Sequence, residues 1–252
     1  MLRETFAALT TPATGPARRF GHAHEGIAIE ARFRRCYTDW APHIGRCRQA
    51  ILAATVSSPR RDRVVVLGSG PLCDIPLARL AEMFAEVVLV DAFHPPRARA
   101  MAARHANVRR LDVDLLGLAR HDGRLDLVTE SDLRCWRDSA GPADLVISAN
   151  LLAQLPLSGD AAGAAGHAVM AAHLADLAAG PGRVCLISEW RRRWFDAAGR
   201  LVASDLPLAG LDLPPYRQGW VWTVAPPGEL SGGASLVADV GWYDQPLRPS
   251  AL

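Results

Sequence analysis

RVVVLGSGPLCD, residues 63–74, runs four consecutive apolar residues straight into a turn carrying Gly68 and Gly70. A β-branched run without polar alternation predicts a strand covered on both faces, the pattern of a parallel sheet. Asp74 then offers a helix N-cap, Pro76 suits a first helical turn, and Leu77, Leu80 and Phe84 share one helical stripe. The stretch is therefore a strand, a glycine turn and a helix. Glycine at such a turn lets the backbone approach a ligand closely, because a Cβ would collide with it or forbid a positive φ. A small-molecule site is expected here.

Units of the same kind follow. EVVLVDA (86–92) is a second buried strand containing Asp91, and it leads through Pro95 and Pro96 into a helix reaching about His105. VRRLDVD (108–114) is a third strand, ADLVISAN (143–150) a fourth ending at Asn150, and RVCLISE (183–189) a fifth. Asp160 is placed to cap a helix from about Ala161 to Ala179, closed by Gly180, Pro181 and Gly182. Strands alternating with helices at this spacing predict a doubly wound α/β layer with a parallel sheet. GWVWTVA (219–225) and SLVADVGW (235–242) are joined by a segment too short for a crossover helix, so they should pair antiparallel. Upstream, apolar spacing predicts a helix from Ile27 that breaks at Pro42, and a second from His43 to about Val56. Residues 1 to about 25 lack periodicity and read as loose. The expected division is a flexible leader and N-terminal helical cap over 1–58 and the sheet domain over 59–252.

Composition removes several function classes. The chain has 252 residues, half of them hydrophobic, and no run long enough to span a membrane. It contains no lysine, so all 28 basic residues are arginine, which excludes a lysine Schiff base and a P-loop lysine. A formal charge of +2, with arginines in short groups, supports neither a nucleic-acid nor a membrane partner. Cysteines 36, 47, 73, 135 and 185 form no CxxC pair and read as buried free thiols; no metal site is expected. The N-terminal stretch lacks the features of a secretory signal, so a cytoplasmic location is expected. Nothing in the sequence sets the oligomeric state.

A glycine turn of this kind serves both dinucleotide and S-adenosylmethionine (SAM) folds. Cys73 stands where GxGxxG requires its third glycine, which disfavours NAD. Asp91 is placed to accept hydrogen bonds from both hydroxyls of an adenosine ribose, and Asp114 to accept from an adenine amino group.

The ordered set GSGPLCD, VLVDA, LDVD, ADLVISANLLAQLP and RVCLISE, with a closing antiparallel pair, resembles the class I SAM-dependent methyltransferases over roughly residues 60–245. The resemblance implies a Rossmann-like, doubly wound, seven-stranded sheet, mostly parallel with an antiparallel strand near the C-terminus, and SAM as cofactor. It implies Gly68 and Gly70 beside the methionine part, Asp91 on the ribose, Asp114 near adenine, and Asn150 at the mouth between cofactor and a small-molecule substrate. Val66 and Leu72 stand where that family has an acidic residue and a third glycine; Asp74 is the substitute grip on the methionine amino group.

Methyl transfer is a displacement at an already activated sulfonium, so alignment and water exclusion matter more than acid–base chemistry. Were a base needed, Tyr37, His43 and Glu189 are the candidates, each also readable as a capping, packing or solvated residue. Trp190 is a candidate for contact with the sulfonium or an aromatic substrate, Trp220 and Trp222 share one strand face, and RRRWF (191–195) reads as an anion grip or a solvated arginine face. His167 shares a helical face with Met170, Leu174 and Leu177, as a core histidine would. The segment from Trp190 to Arg217, with the N-terminal helices, is the expected substrate lid. The competing functions are a non-catalytic or repurposed SAM- or nucleotide-binding module and an NAD-dependent oxidoreductase.

Overall fold

The computed structural model describes residues 11–158 and 163–244. Its strands are β1 (Arg63–Leu67), β2 (Glu86–Asp91), β3 (Val108–Asp112), β4 (Leu145–Ala149), β5 (Arg183–Phe195), β6 (Leu201–Asp205), β7 (Gln218–Ala225) and β8 (Ser235–Tyr243). They form one sheet in the order β3-β2-β1-β4-β5-β8-β7, with β6 paired to the far half of β5. The first five strands are mutually parallel. β8 runs antiparallel to both β5 and β7, so the seven-strand path with one reversed strand is present, and β6 adds an eighth. Burial explains the parallel part: Val64 to Leu67, Val87 to Val90 and Leu145 to Ile147 are all buried, so neither face of these strands meets water.

One face is covered by α3 (Tyr37–Val56), α4 (Leu77–Met83) and α5 (Pro96–Ala102), and the other by α6 (Glu130–Ala140) and α7 (Ala164–Ala179). α3 is a core helix. Trp40, Ile44, Cys47, Ile51 and Ala54 recur at three- and four-residue steps and join the same cluster as Val64, Val66 and Leu89. Full burial of each large one contributes about 1.5–3 kcal/mol.

Several boundaries differ from the sequence expectation. α1 (Gly15–Arg19) and α2 (His22–Arg35) fold the stretch that lacks periodicity, because Ala17, Ala23 and Ile27 pack on Phe93. The helix break falls at Cys36, not Pro42; Pro42 sits in the second turn of α3, exposed, and the carbonyl its missing N–H frees belongs to exposed Thr38. Asp74 does not cap α4, whose N-cap is Pro76 without a side-chain bond. Asp160 lies outside the described residues. His167 is only half-buried, and the core histidine of α7 is His173, on the Ser148 hydroxyl at 3.1 Å.

The expected lid begins as strand. β5 continues through RRRWF because side chains alternate: Arg191 and Arg193 both pair with Asp239 of β8, at 2.5 and 3.0 Å, while Arg192 and Trp194 face the opposite side. Trp190 stacks on Tyr216 at 6.2 Å and lines neither cavity described below.

Candidate functional site

The site lies beyond the C-terminal ends of β1, β2 and β4, where parallel sheets of this kind open a crevice. Gly68, Gly70 and Leu72 all adopt positive φ, at 62°, 49° and 57°. The turn therefore has glycine geometry at three alternate positions, the third occupied by a fully buried leucine. Gly68 leaves no room for more: a Cβ there would lie 2.9 Å from the Leu151 side chain. The Asp91 carboxylate holds the turn in place, accepting from the Gly70 N–H at 2.8 Å and, through its other oxygen, from the Phe93 N–H at 3.1 Å.

Two cavities meet at this turn. The first, about 140 Å³, is bounded by Asp91, Phe93, Asp114, Leu115, Leu116 and, from α2, His22. Asp114 orders its own floor by accepting from the Leu116 and Ala119 N–H groups at 3.2 and 3.1 Å. The second, about 420 Å³, has an aromatic wall of Trp40, His43, Trp194 and Trp222. Gly68, Gly70, Asn150, Gln154, Glu25 and Ile29 border both, so they mark the junction. All six residues singled out as cofactor-binding, Gly68, Gly70, Asp74, Asp91, Asp114 and Asn150, border one cavity or both.

A cluster of polar side chains crosses the junction. Asn150, at φ 55° in a conformation asparagine tolerates, donates from Nδ2 to Asp74 at 2.7 Å, and its Oδ1 is buried without a partner among the described residues. Burial raises the Asp74 carboxyl above its ordinary value, against the lowering influence of the Asn150 bond and Arg48. Asn150 Nδ2 also lies 3.1 Å from His43 Nε2, and with the imidazole proton on Nε2 the two N–H groups face each other and do not bond. The Trp220 indole N–H, a donor only, points at His43 Nδ1 at 3.0 Å, so Nδ1 must accept and the imidazole proton sits on Nε2, 3.4 Å from Cys47 Sγ. His43 is stacked on Trp222 at 4.0 Å, and burial lowers its pKa to about 3. It is a neutral, orientation-fixed ring at physiological pH.

His43, Cys47 and Asp74 offer ligand atoms within 4.8 Å of one another. The Trp220 bond occupies the Nδ1 lone pair and leaves Nε2 protonated, while burial and Asp74 keep Cys47 a thiol. Neither presents the free lone pair or thiolate that a metal needs.

The other base candidates fare differently. Glu189 is buried at the second cavity, with one carboxylate oxygen on Arg192 Nε at 2.6 Å; Arg192 in turn donates to the Ala153 carbonyl at 2.9 Å. Tyr37 is 59% exposed, edge-on to Phe33, and borders neither cavity. Sequence reasoning missed His22, Glu25, Ile29 and Gln154. His22 and Glu25 enter through the start of α2 and Gln154 through the turn after β4, where local periodicity carries no signal, and Ile29 lay on the expected helix but was not assigned to the site.

No protein-family model matches the chain, and no curated protein matches it. Among solved structures it is similar to the N-methyltransferase NodS of Bradyrhizobium japonicum WM9 with S-adenosylhomocysteine (SAH), at 17% identity over 80% of this chain and 86% of that one, with a TM-score of 0.42. It is also similar to the Burkholderia thailandensis 1,6-didemethyltoxoflavin-N1-methyltransferase, at 17% identity over 93% of each chain and a TM-score of 0.39. The magnesium protoporphyrin IX methyltransferase of Synechocystis PCC 6803, with bound SAM, gives 12% identity over 95% of this chain and 90% of that one, with a TM-score of 0.40.

Proposed function

We propose that the chain is a SAM-dependent methyltransferase acting on a small molecule. One observation carries this reading: a cavity containing Asp91 and Asp114 and a larger aromatic cavity meet at Gly68, Gly70 and Asn150. A ligand with an adenosine end and a reactive centre fits such a junction. Two features of the chain support the fit, the Gly68 position that a Cβ would fill and the buried Asn150 Oδ1 that awaits a donor. Asp91 would take the ribose hydroxyls with its remaining lone pairs, Asp114 and Leu116 the adenine, and Asp74 with Asn150 the amino-acid ammonium. SAM supplies a methyl group on a cationic sulfur. The chain aligns the acceptor, and the apolar wall of the second cavity excludes water.

Helices α1 and α2 with the first turns of α3 form the cap of this unit in the same reading. A cytoplasmic setting belongs to it as well, supported by five unpaired thiols. No helix among the described residues is long and apolar enough to cross a membrane. Calorimetric titration with SAM and SAH tests the assignment. Binding is expected, weakened at least about tenfold by Asp91→Ala, a loss of 1.4 kcal/mol or more. No binding, or binding indifferent to Asp91, overturns it, and NAD(H) binding in its place would restore the oxidoreductase. Methyl transfer to any acceptor removes the non-catalytic module.

A further inference from the structure

From the second cavity we infer the acceptor class: a flat, uncharged aromatic ring methylated on a nitrogen lone pair. The inference rests on the methyltransferase reading and adds the substrate to it. Shape comes first. Trp40, Trp194, Trp222 and His43 wall the cavity together with Val224 and Leu236, an aromatic and apolar surface suited to a planar ring.

Charge comes second. The arginines that reach this cavity are already engaged: Arg32 pairs with Glu229 at 3.0 Å, and Arg192 with Glu189 at 2.6 Å. Arg191 and Arg193 are drawn to Asp239 away from it. Glu25 and Asp74 border the cavity, and among the described residues no arginine is hydrogen-bonded to either side chain; Arg48, which acts on Asp74 from a distance, donates to the Cys73 carbonyl at 2.6 Å. A carboxylate or phenolate ligand would meet these acids without a free guanidinium to hold it. Positive charge, by contrast, is welcome on indole faces and beside carboxylates.

Chemistry comes third. An alcohol or phenol must lose its proton to attack, and neither His43 nor Glu189 is free to take it, while Asp74 already accepts from the Asn150 amide at 2.7 Å. His43 Nδ1 receives the Trp220 N–H and its Nε2 already carries a proton, while Glu189 is bound to Arg192. A neutral amine or ring nitrogen needs no such help. Its lone pair forms the N–C bond as the C–S bond breaks, and that bond's electrons return to sulfur. SAH leaves as a neutral thioether, and the positive charge passes from sulfur to nitrogen inside a cavity suited to cations. A proton on that nitrogen is lost afterwards, to water.

The test uses the full chain with three matched probes: aminoquinoline, hydroxyquinoline and quinoline carboxylate. Tryptophan fluorescence follows their binding with and without SAH, and mass spectrometry follows methyl transfer from SAM. Aminoquinoline is expected to bind and to be methylated on nitrogen at least about tenfold faster than hydroxyquinoline is methylated on oxygen, with the carboxylate excluded. Trp194→Leu, on the half-buried end of β5, should weaken aminoquinoline about tenfold and leave SAH affinity unchanged; Trp222→Leu is the second variant. His43→Gln should cost less than about tenfold in rate, whereas loss of a general base costs about 100-fold or more. Methylation of the hydroxyl or carboxylate probe on oxygen in preference to nitrogen, refusal of all three, or a 100-fold loss in His43→Gln overturns the inference. A chain that takes aminoquinoline but no SAH overturns the methyl-transfer reading instead, so the two failures are distinct.

Discussion

Leu72 holds a φ of 57°, two residues after Gly70 and four after Gly68 in the same left-handed region. A non-glycine residue there costs about 1–2 kcal/mol, and it persists because its side chain is fully buried in the core that covers one sheet face. Leu72→Gly therefore relieves the strain but empties a packed site, where leucine truncation costs about 2–5 kcal/mol. A net destabilisation of about 2 kcal/mol in urea unfolding, with SAH affinity preserved, is expected. Gly68→Ala should behave oppositely, because its Cβ would press on Leu151 at the cavity junction. Calorimetry should show SAH affinity reduced by about tenfold or more. Gly70→Ala meets nothing closer than 3.9 Å and carries backbone strain alone, about 1 kcal/mol. The two glycines were legible in the sequence because only glycine suits such a turn at no cost. The third position was marked only by resemblance to a family with glycine where Leu72 stands, since the leucine itself hides the conformation its backbone adopts.

The turn before α6 shows how an element supports the site from below. Thr129 and Asp132 form a capping box, with the Asp132 carboxylate accepting from the Thr129 N–H at 2.9 Å and hydroxyl at 2.7 Å. The same carboxylate takes His121 Nε2 and Arg120 Nη1, each at 2.8 Å, and packs against Gly117. Burial works to raise its pKa, but the bonds from His121 and Thr129 outweigh it and hold the carboxyl at about 2. Stability from a depressed carboxylate is present above its ordinary value and disappears as pH falls through about 2. Asp132→Ala should lower urea stability at pH 7 by about 2 kcal/mol, and the deficit should shrink toward pH 2. Elements whose pattern is local, such as β1, β2 and α7, were readable from the chain. The extension of β5 was not, because Arg191 and Arg193 find their partner in Asp239, far away in sequence. The Cys36 break escaped for a similar reason: Pro42 is the stronger local signal, yet burial of Trp40 in the α3 face decides where the helix begins.

For the whole molecule, two histidines held neutral inside the fold make stability fall with acid between about pH 6.5 and 4. Burial lowers His43 to about 3 and His173, against the raising influence of Asp176, to about 4. The unfolded chain protonates both near their ordinary value of 6.5, so between about pH 6.5 and 4 it binds two protons that the native state refuses. Stability must then rise with pH across that window and be lost as pH falls through it. Each histidine contributes a drop of about 2 kcal/mol between pH 7 and pH 5, a slope set by linkage alone. His173→Gln keeps a polar partner for Ser148 but cannot ionise, so it should halve the difference between urea midpoints at the two pH values. Adding His43→Gln should nearly abolish it. An undiminished difference in the double variant would place the acid sensitivity outside these two rings, and with it the claim that His43 is held neutral. That result would also free His43 as a base, so one titration of stability constrains both the fold and the chemistry at the cavity it borders.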